Sequence, residues 1–518
     1  MLRAKTWAGV ALWSTFLAAH AAAQESRPAR PNIVFIMSDD HAAHAIGAYG
    51  SQINETPHLD RLAREGALLT NVFATNAICT PSRAAILTGQ YAHVNGVTVF
   101  NRFDSSRMTV ARLLRQGGYY TGMIGKWHLG SDPVGFDHWE ILPGQGAYRD
   151  PVFYTATGEK TYAGRYVTDV ITELASEFLA RRPTDRPFFL MVHHKAPHRP
   201  WEPAEAYRAL FAEREIPEPP TLDDDYATRT DALRENRQRI DDLTNRDLKL
   251  PPPAGLAGAE LARWYGTKPD AVTITRAGAP VVLTGVPLRR WKYRRYLQDY
   301  LATVQSVDDG VGRLLDDLDR RGLRENTLVI YTSDQGFFLG DHGLFDKRFM
   351  YEEAIRMPFL VRWPAAVKPG TRSDAIALNV DFAPTFLDVA GLPASPDMQG
   401  RSLAPLLRGT PPPDWRTAAY YRYYHDPGDH ETRAHYGVRT ATHKLIHFHG
   451  KDQWELFDLV RDPRELVNLY GKPGQEAITA ELKAALARLK RDLGDEDQLA
   501  GARLPNGVDG SPSRLRGK

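Results

Sequence analysis

The sequence predicts an α/β fold: a large mixed, mostly parallel sheet flanked by helices, then a smaller C-terminal antiparallel sheet with a helix. Three features predict it. Short apolar runs recur along most of the chain, as strands covered on both faces require. Amphipathic segments of helical period separate these runs. Near the C-terminus, aromatic and β-branched runs follow one another with only turn residues between them.

The elements follow in order. "NIVFIMSDD" (32–40) is a nearly uninterrupted apolar run, read as a buried strand. "HLDRLAREG" has helical spacing and ends at Gly66, a helix stop. "TVARLLRQGG" followed by "YYTGMIGKWH" repeats the order of helix and strand. In "YVTDVITELASEFLARRP", Val167, Val170, Ile171, Leu174 and Phe178 fall near one helical face, and "RPFFLMVHHKAPH" is the strand after it. Beyond Tyr293 a long helix pattern precedes another buried strand, "NTLVIYTSDQG". Alternation of this kind builds a sheet wrapped by helices.

Two stretches break the rhythm. Residues 202–288 carry the Pro- and Asp-rich "EIPEPPTLDDDYA" and "LKLPPPAGLAG", which suit a variable insertion over the sheet edge rather than a strand layer. "RGTPPPDWR" (408–416) marks the second break and divides a main unit, 30–407, from a C-terminal subdomain, 408–495. There "AAYYRYY", "HYGVRTATHKLIHFHG" and "WELFDLVRDP" read as antiparallel strands, followed by the helical "EAITAELKAALARLKRDLG". Residues 496–518 read as a loose tail. At the other end, Arg3 and Lys5, an apolar run and the small residues up to Ala23 read as an export signal over 1–23. Its apolar stretch is short for a bilayer span, and no later segment has the length and apolarity of one. The expected mature protein is soluble and acts in the periplasm or outside the cell.

Composition narrows the function classes. Lys+Arg 65 against Asp+Glu 63 leaves a formal net charge of +2 with no long charged blocks, which argues against a nucleic-acid partner. A single cysteine excludes an intrachain disulfide.

Chemistry concentrates at four predicted strand ends. They carry Asp39-Asp40, Lys126-Trp127-His128, His193-His194-Lys195 with His198 beyond the turn, and Asp334-Gln335. Ligands of open α/β sheets bind outside the carboxyl ends of the strands, so these groups are expected to converge. Asp39, Asp40, Asp334 and Gln335 are oxygen donors of the kind a hard cation takes, Ca²⁺ or Mg²⁺ rather than zinc. Lys126, His128, His198 and Lys347 add positive charge and proton-transfer groups, and a cation-rich metal pocket suits an anionic sulfate or phosphate centre.

The cysteine, Cys79, stands in "NAICTPSRAAILTG" (76–89). Pro81 suits a first helical turn and Gly89 a helix stop, which puts Cys79 at a helix N-terminus. A thiol there is open to activation as a thiolate.

These residues resemble the type I sulfatases of the alkaline phosphatase superfamily. "CTPSR" (79–83) is similar to the C-x-P-S-R signature, and "GKWHLG" (125–130) to the second signature. The early "SDD", "APH", "TSDQG" and "DKR" stand in the family's order, and the likeness runs from about residue 31 to 469. The resemblance implies an alkaline phosphatase-like fold and hydrolysis of a sulfate ester, closest in look to bacterial glycan sulfatases of the N-acetylglucosamine-6-sulfatase or mucin-desulfating type. It implies that a maturation enzyme oxidises Cys79 to Cα-formylglycine (3-oxoalanine), whose hydrate attacks sulfur with help from Arg83. It further implies His198 as the leaving-group acid assisted by Lys347, His128 as the base that helps release sulfate, and Lys126 with Lys347 on the sulfate oxygens. Asp39, Asp40, Asp334, Gln335 and residue 79 would hold Ca²⁺; Gln335 stands where the family often has Asn or His. Arg102, Trp201, His342 and Arg348, near the motifs in sequence, are candidate contacts to a sulfated carbohydrate.

Two other readings stand beside this one. Phosphodiester or phosphonate monoester hydrolases of the same superfamily share the nucleophile motif and metal. A noncatalytic glycan-binding protein would keep the fold, but the intact set of Cys79, Arg83, Lys126, His128, His198 and Lys347 speaks against it.

Overall fold

The computed structural model describes residues 30–495. The expected export signal and tail lie outside the described residues. Each apolar run read as a strand forms one, and together they make the centre of a ten-stranded sheet. From one edge the strands are Thr371–Ser373, Ala67–Leu69, Phe359–Arg362, Thr327–Ser333, Asn32–Ser38, Phe188–His193, Tyr120–Lys126, His138–Leu142, Val152–Thr155 and Glu159–Thr161. From Thr327–Ser333 through His138–Leu142 the pairing is parallel. Antiparallel strands flank this block on both sides.

The uninterrupted apolar runs have a direct cause. Along Asn32–Ser38, Ile33, Phe35 and Met37 enter one core, and Val34 and Ile36 enter the other, beneath opposite faces. Neither face meets water, so no alternate position is left for a polar side chain. The helix Val167–Arg181 and the long helix Gly285–Arg320 cover one of these faces through Val170, Ile171, Val307 and Val311.

The C-terminal strands Ala418–Tyr423, His435–Thr440, His443–Phe448 and Gln453–Asp458 form one antiparallel sheet. The helix Glu476–Leu493 buries Leu482 and Leu486 against it. The same apolar cluster takes in Phe349, Tyr351 and Ile78, so this sheet shares a core with the segment that carries Cys79.

Residues 202–288 differ from expectation in detail. They hold short helices and a separate hairpin, Val272–Arg276 with Ala279–Leu283, which stays outside the main sheet. Its tip is Ala277-Gly278, both at positive φ, and its residues are mostly exposed, so no apolar alternation announced it. The long helix starts at Gly285, ahead of the expected Tyr293. No helix among the described residues is long and apolar enough to cross a membrane.

One glycine fixes how a strand end is aimed. Gly125 has φ +97°, and a Cβ there would lie 2.0 Å from the carbonyl oxygen of His193 on the adjacent strand. Gly125→Ala is expected to destabilise the protein by at least about 2 kcal/mol through backbone strain and this clash. An unchanged midpoint in denaturant unfolding would contradict that.

Candidate active site

Register brings the four strand ends together. Ser38 pairs with Ser333, so Asp39-Asp40 and Asp334-Gln335 leave the sheet side by side. His193 pairs with Met37 on one side and Gly125 on the other, which sets Lys126 and the turn to His198 at the same edge. Above them the helix Cys79–Thr88 begins with Cys79 itself, wholly buried along its length.

The first turn of that helix is tied to the strand ends. Cys79 Sγ donates to Asp39 Oδ1 at 3.3 Å. One turn on, Arg83 donates from Nη2 to Asp334 Oδ2 at 2.8 Å and from Nη1 to the Lys126 carbonyl at 2.6 Å. Ser82 donates to the Asp334 carbonyl and accepts from Asn379 Nδ2 at 2.9 Å. Behind Cys79, Thr80 Oγ1 lies 3.3 Å from His128 Nδ1. Lys126 Nζ donates to Asp39 and to the side-chain oxygen of Gln145. Lys347 Nζ lies 2.5 Å from Asp40 Oδ1, and His198 Nε2 lies 3.8 Å from Asp40 Oδ2. A cavity of about 410 Å³ opens over this floor, bordered by Asp40, Cys79, His198, Lys347 and Arg348 among others.

The donor set fits a hard divalent cation. Carboxylate oxygens of Asp39, Asp40 and Asp334 lie within 4.8 Å of one another, all buried. Gln335 donates its amide N–H to Asp40, which leaves Gln335 Oε1 buried with no hydrogen-bond partner. An orphaned acceptor beside three carboxylates calls for a positive occupant. Charge agrees. Burial, then repulsion from Asp39 and Asp334 set against Lys347, pushes Asp40 up to about 8. Burial and Asp39 push Asp334 up to about 6 despite Arg83. Burial opposes ionisation of Asp39 as well, but Lys126, His198 and Arg83 outweigh it and hold that carboxyl well below its usual range.

The other groups settle in the same field. Burial, with Asp39 next, raises the Cys79 thiol well above its ordinary value. Desolvation and the neighbouring carboxylate thus oppose the thiolate that the helix N-terminus favours. Burial and Lys126 lower His128 and His198, which keeps both imidazoles neutral. Backbone strain gathers at the same place. Asp40 (φ 70°), His128 (54°), Asp346 (77°), Arg348 (92°) and His430 (58°) all adopt the left-handed region that L-residues avoid, and such residues cluster at functional sites.

The sulfatase family profile matches residues 31–392, and the profile of the N-sulphoglucosamine sulphohydrolase C-terminal region matches 340–492. The chain belongs to the sulfatase family. It is a sulfuric ester hydrolase. An N-acetylglucosamine-6-O-sulfatase of Bacteroides thetaiotaomicron is 46% identical over 502 residues, covering 93% of this chain and 90% of that protein. A solved structure described as a complex with its substrate D-glucosamine-2-N,6-O-disulfate superposes with TM-score 0.84 at 44% identity, over 90% of this chain and 99% of the other. The phosphonate monoester hydrolase of Agrobacterium radiobacter shares the fold, with TM-score 0.67 at 22% identity over 90% of this chain and 96% of the other.

In the sulfatase, the four candidate carbohydrate contacts do not stay together. Arg348 borders the cavity, held by Asp346 and, at 3.0 Å, by Asp429. Trp201 is fully buried among aromatic rings, its own 4.5 Å from that of Tyr296, and does not reach the cavity. His342 is also buried, with Nδ1 2.9 Å from Asp224 Oδ2, and it ties the 202–288 segment to the loop before Lys347. Arg102 is exposed and lies outside the cavity wall. Nearness to a motif in sequence placed Trp201 and His342 close to the site, but as its packing rather than its lining.

Residues that sequence reading passed over complete the wall. Gln145 bridges Lys126 to the cavity and accepts from Lys195 Nζ at its carbonyl, 3.1 Å away. Asp429 and His430 arrive from the C-terminal sheet, with His430 Nε2 2.9 Å from Asp346 Oδ2. Asp346 adjoins Lys347 in sequence, a signal that was available; for Asp429 and His430 no local signal existed.

Proposed function

We propose that this sulfatase removes a 6-O-sulfate from an N-acetylglucosamine or glucosamine residue of a glycan. The observation that carries the reading is the floor of the cavity, where position 79 heads a helix between three carboxylates and Lys126, Lys347 and Arg83. The similarity at 46% to a sulfatase named for that sugar supports the choice of substrate.

In this reading a maturation enzyme converts Cys79 to Cα-formylglycine, and one hydroxyl of its hydrate attacks sulfur as the bond from sulfur to the sugar oxygen breaks. The proton of that hydroxyl passes to the carboxylate of Asp39 that faces position 79. A thiol has no second hydroxyl with which to expel the sulfate afterwards. Asp39, Asp40, Asp334 and Gln335 hold Ca²⁺, which would neutralise the carboxylates and polarise sulfate oxygens. Arg83 fixes Asp334 and the first helical turn, while Lys126 and Lys347 meet the charge that develops on the sulfate. His198 gives its proton to the departing sugar oxygen; the bound sulfate's negative charge raises its proton affinity for this step. His128, held neutral behind residue 79, accepts the proton of the second hydroxyl as sulfate leaves. Residues 30–407 carry this chemistry, and the 408–495 subdomain supplies part of the rim through Asp429 and His430. Residues 1–23 direct the chain out of the cytoplasm, where sulfated glycans are met.

The test is sulfate release by protein matured in a competent host. The expected preference is for 6-sulfated N-acetylglucosamine over the 3-O- and 4-O-sulfated sugars and over an aryl phosphonate monoester. Faster turnover of the phosphonate, or no release from any sulfated sugar, would overturn it.

A further inference from the structure

A second, larger cavity adjoins the site. It measures about 1300 Å³ against about 410 Å³ for the cavity over Cys79, and Gln145, His198 and Arg199 border both. His198 stands on the leaving-group side in the reading above, so whatever is attached to the sulfated sugar on that side passes from one cavity to the other. The far wall belongs to the 202–288 segment. The helix Gly258–Gly266 turns Gly258, Leu261, Ala262, Tyr265 and Gly266 toward the cavity, a stripe at helical spacing. None of the helix's residues is buried, so this face is not spent on the protein core.

Charges on the wall divide into those already committed and those that are not. Arg199 donates to both oxygens of Asp247, at 2.7 and 2.6 Å, and Lys249 pairs with Asp299 at 2.9 Å. Lys195 is buried, donates to the Gln145 carbonyl at 3.1 Å and stands over the Tyr148 ring. Arg246 is exposed and, among the described residues, has no ion pair or side-chain hydrogen bond. Its main-chain N–H donates to the Tyr265 carbonyl at 3.2 Å, which fixes its backbone beside the helix face. Arg246 is thus the exposed cation on this wall without an ion pair among the described residues, set in a space too large for the sulfated sugar alone.

We propose that this cavity is a second saccharide subsite, which receives the sugar linked to the sulfated residue and holds that sugar's anionic group, a carboxylate or a sulfate, against Arg246. The proposal rests on the glycan reading above. It makes the 202–288 segment a determinant of which glycan is accepted, while the chemistry at residue 79 is unaltered.

The test compares kcat/KM for removal of the 6-O-sulfate from four substrates: the sulfated monosaccharide, and disaccharides in which its neighbour is an uncharged hexose, a uronic acid or a sulfated hexose. The wild-type protein is expected to prefer at least one anionic disaccharide to the neutral one by about tenfold or more, the worth of one charge-assisted hydrogen bond. Arg246→Ala should abolish that preference through KM, and Arg246→Lys should keep part of it. Arg246 is a surface residue, so thermal unfolding should match the wild type and separate a lost contact from a lost fold. A wild-type protein that cleaves the monosaccharide but treats neutral and anionic disaccharides alike overturns this proposal alone, as does an Arg246→Ala variant that keeps the preference. A wild-type protein that cleaves no sulfated sugar overturns the substrate reading as well.

Discussion

Cys79→Ala is expected to leave a folded protein that hydrolyses sulfate esters at least about 10³-fold more slowly than the matured wild type. The side chain is buried, yet it is small and donates only to Asp39, so its removal should lower stability by no more than about 1 kcal/mol. Everything else that could bind substrate stays in place. Arg83 remains anchored to Asp334 and the Lys126 carbonyl, and Lys347 remains beside Asp40. The variant therefore separates binding from bond breaking: it should retain affinity for the sulfated sugar, read by calorimetry, while losing turnover. Residual turnover within tenfold of wild type would show that water activated at the cavity floor, rather than residue 79, is the nucleophile.

Cys79→Ser sharpens the same point. Serine offers one hydroxyl where the proposed aldehyde hydrate offers two, so the first displacement lacks a route to the second. At most one equivalent of sugar alcohol should appear per protein molecule, with no sustained sulfate release. Steady multiple turnover by this variant would exclude the two-hydroxyl scheme.

Much of the site was legible in the sequence because strand ends are local features. An apolar run closed by Asp39-Asp40 or Asp334-Gln335 states both that a strand is buried and where it ends. Parallel pairing then does the convergence, through register that no single residue announces. The strands His138–Leu142 and Val152–Thr155, toward one end of the sheet, were harder to read, since they are short and form only within the completed sheet. Asp429 and His430 show the same limit in the site. They reach Arg348 and Asp346 from more than eighty positions away, brought there by packing of the C-terminal sheet. Trp201 shows the opposite failure: an aromatic residue three positions from His198 looks like a sugar platform, but the apolar cluster around Tyr296 and Phe345 claims it.

The cation site carries the second large effect, and its readout need not be activity. Lys126, Arg83 and Lys347 offset the three buried carboxylates in part, yet burial and mutual repulsion still push Asp40 up to about 8 and Gln335 Oε1 lacks a partner. A cation shared among them is therefore expected to stabilise the fold. Calcium at about a hundred times its dissociation constant should add about 2.7 kcal/mol of stability, a rise of several degrees in Tm over chelator-treated protein. Gln335→Leu removes the orphaned oxygen at similar volume. It should weaken calcium binding, while the chelator-treated protein stays within about 1 kcal/mol of wild type, since removal of an unpartnered buried acceptor offsets loss of the amide N–H donated to Asp40. Asp334→Ala cannot serve in its place, because that carboxylate also holds Arg83 and its loss would leave a guanidinium buried without its partner. Calcium should exceed magnesium in the size of the shift, since magnesium demands octahedral geometry and retains water, whereas these ligands are fixed protein oxygens in a buried cluster. A wild-type Tm indifferent to both chelator and calcium would mean that Lys126, Lys347 and Arg83 alone balance the three carboxylates, and the metal would have no place in the chemistry proposed for residue 79.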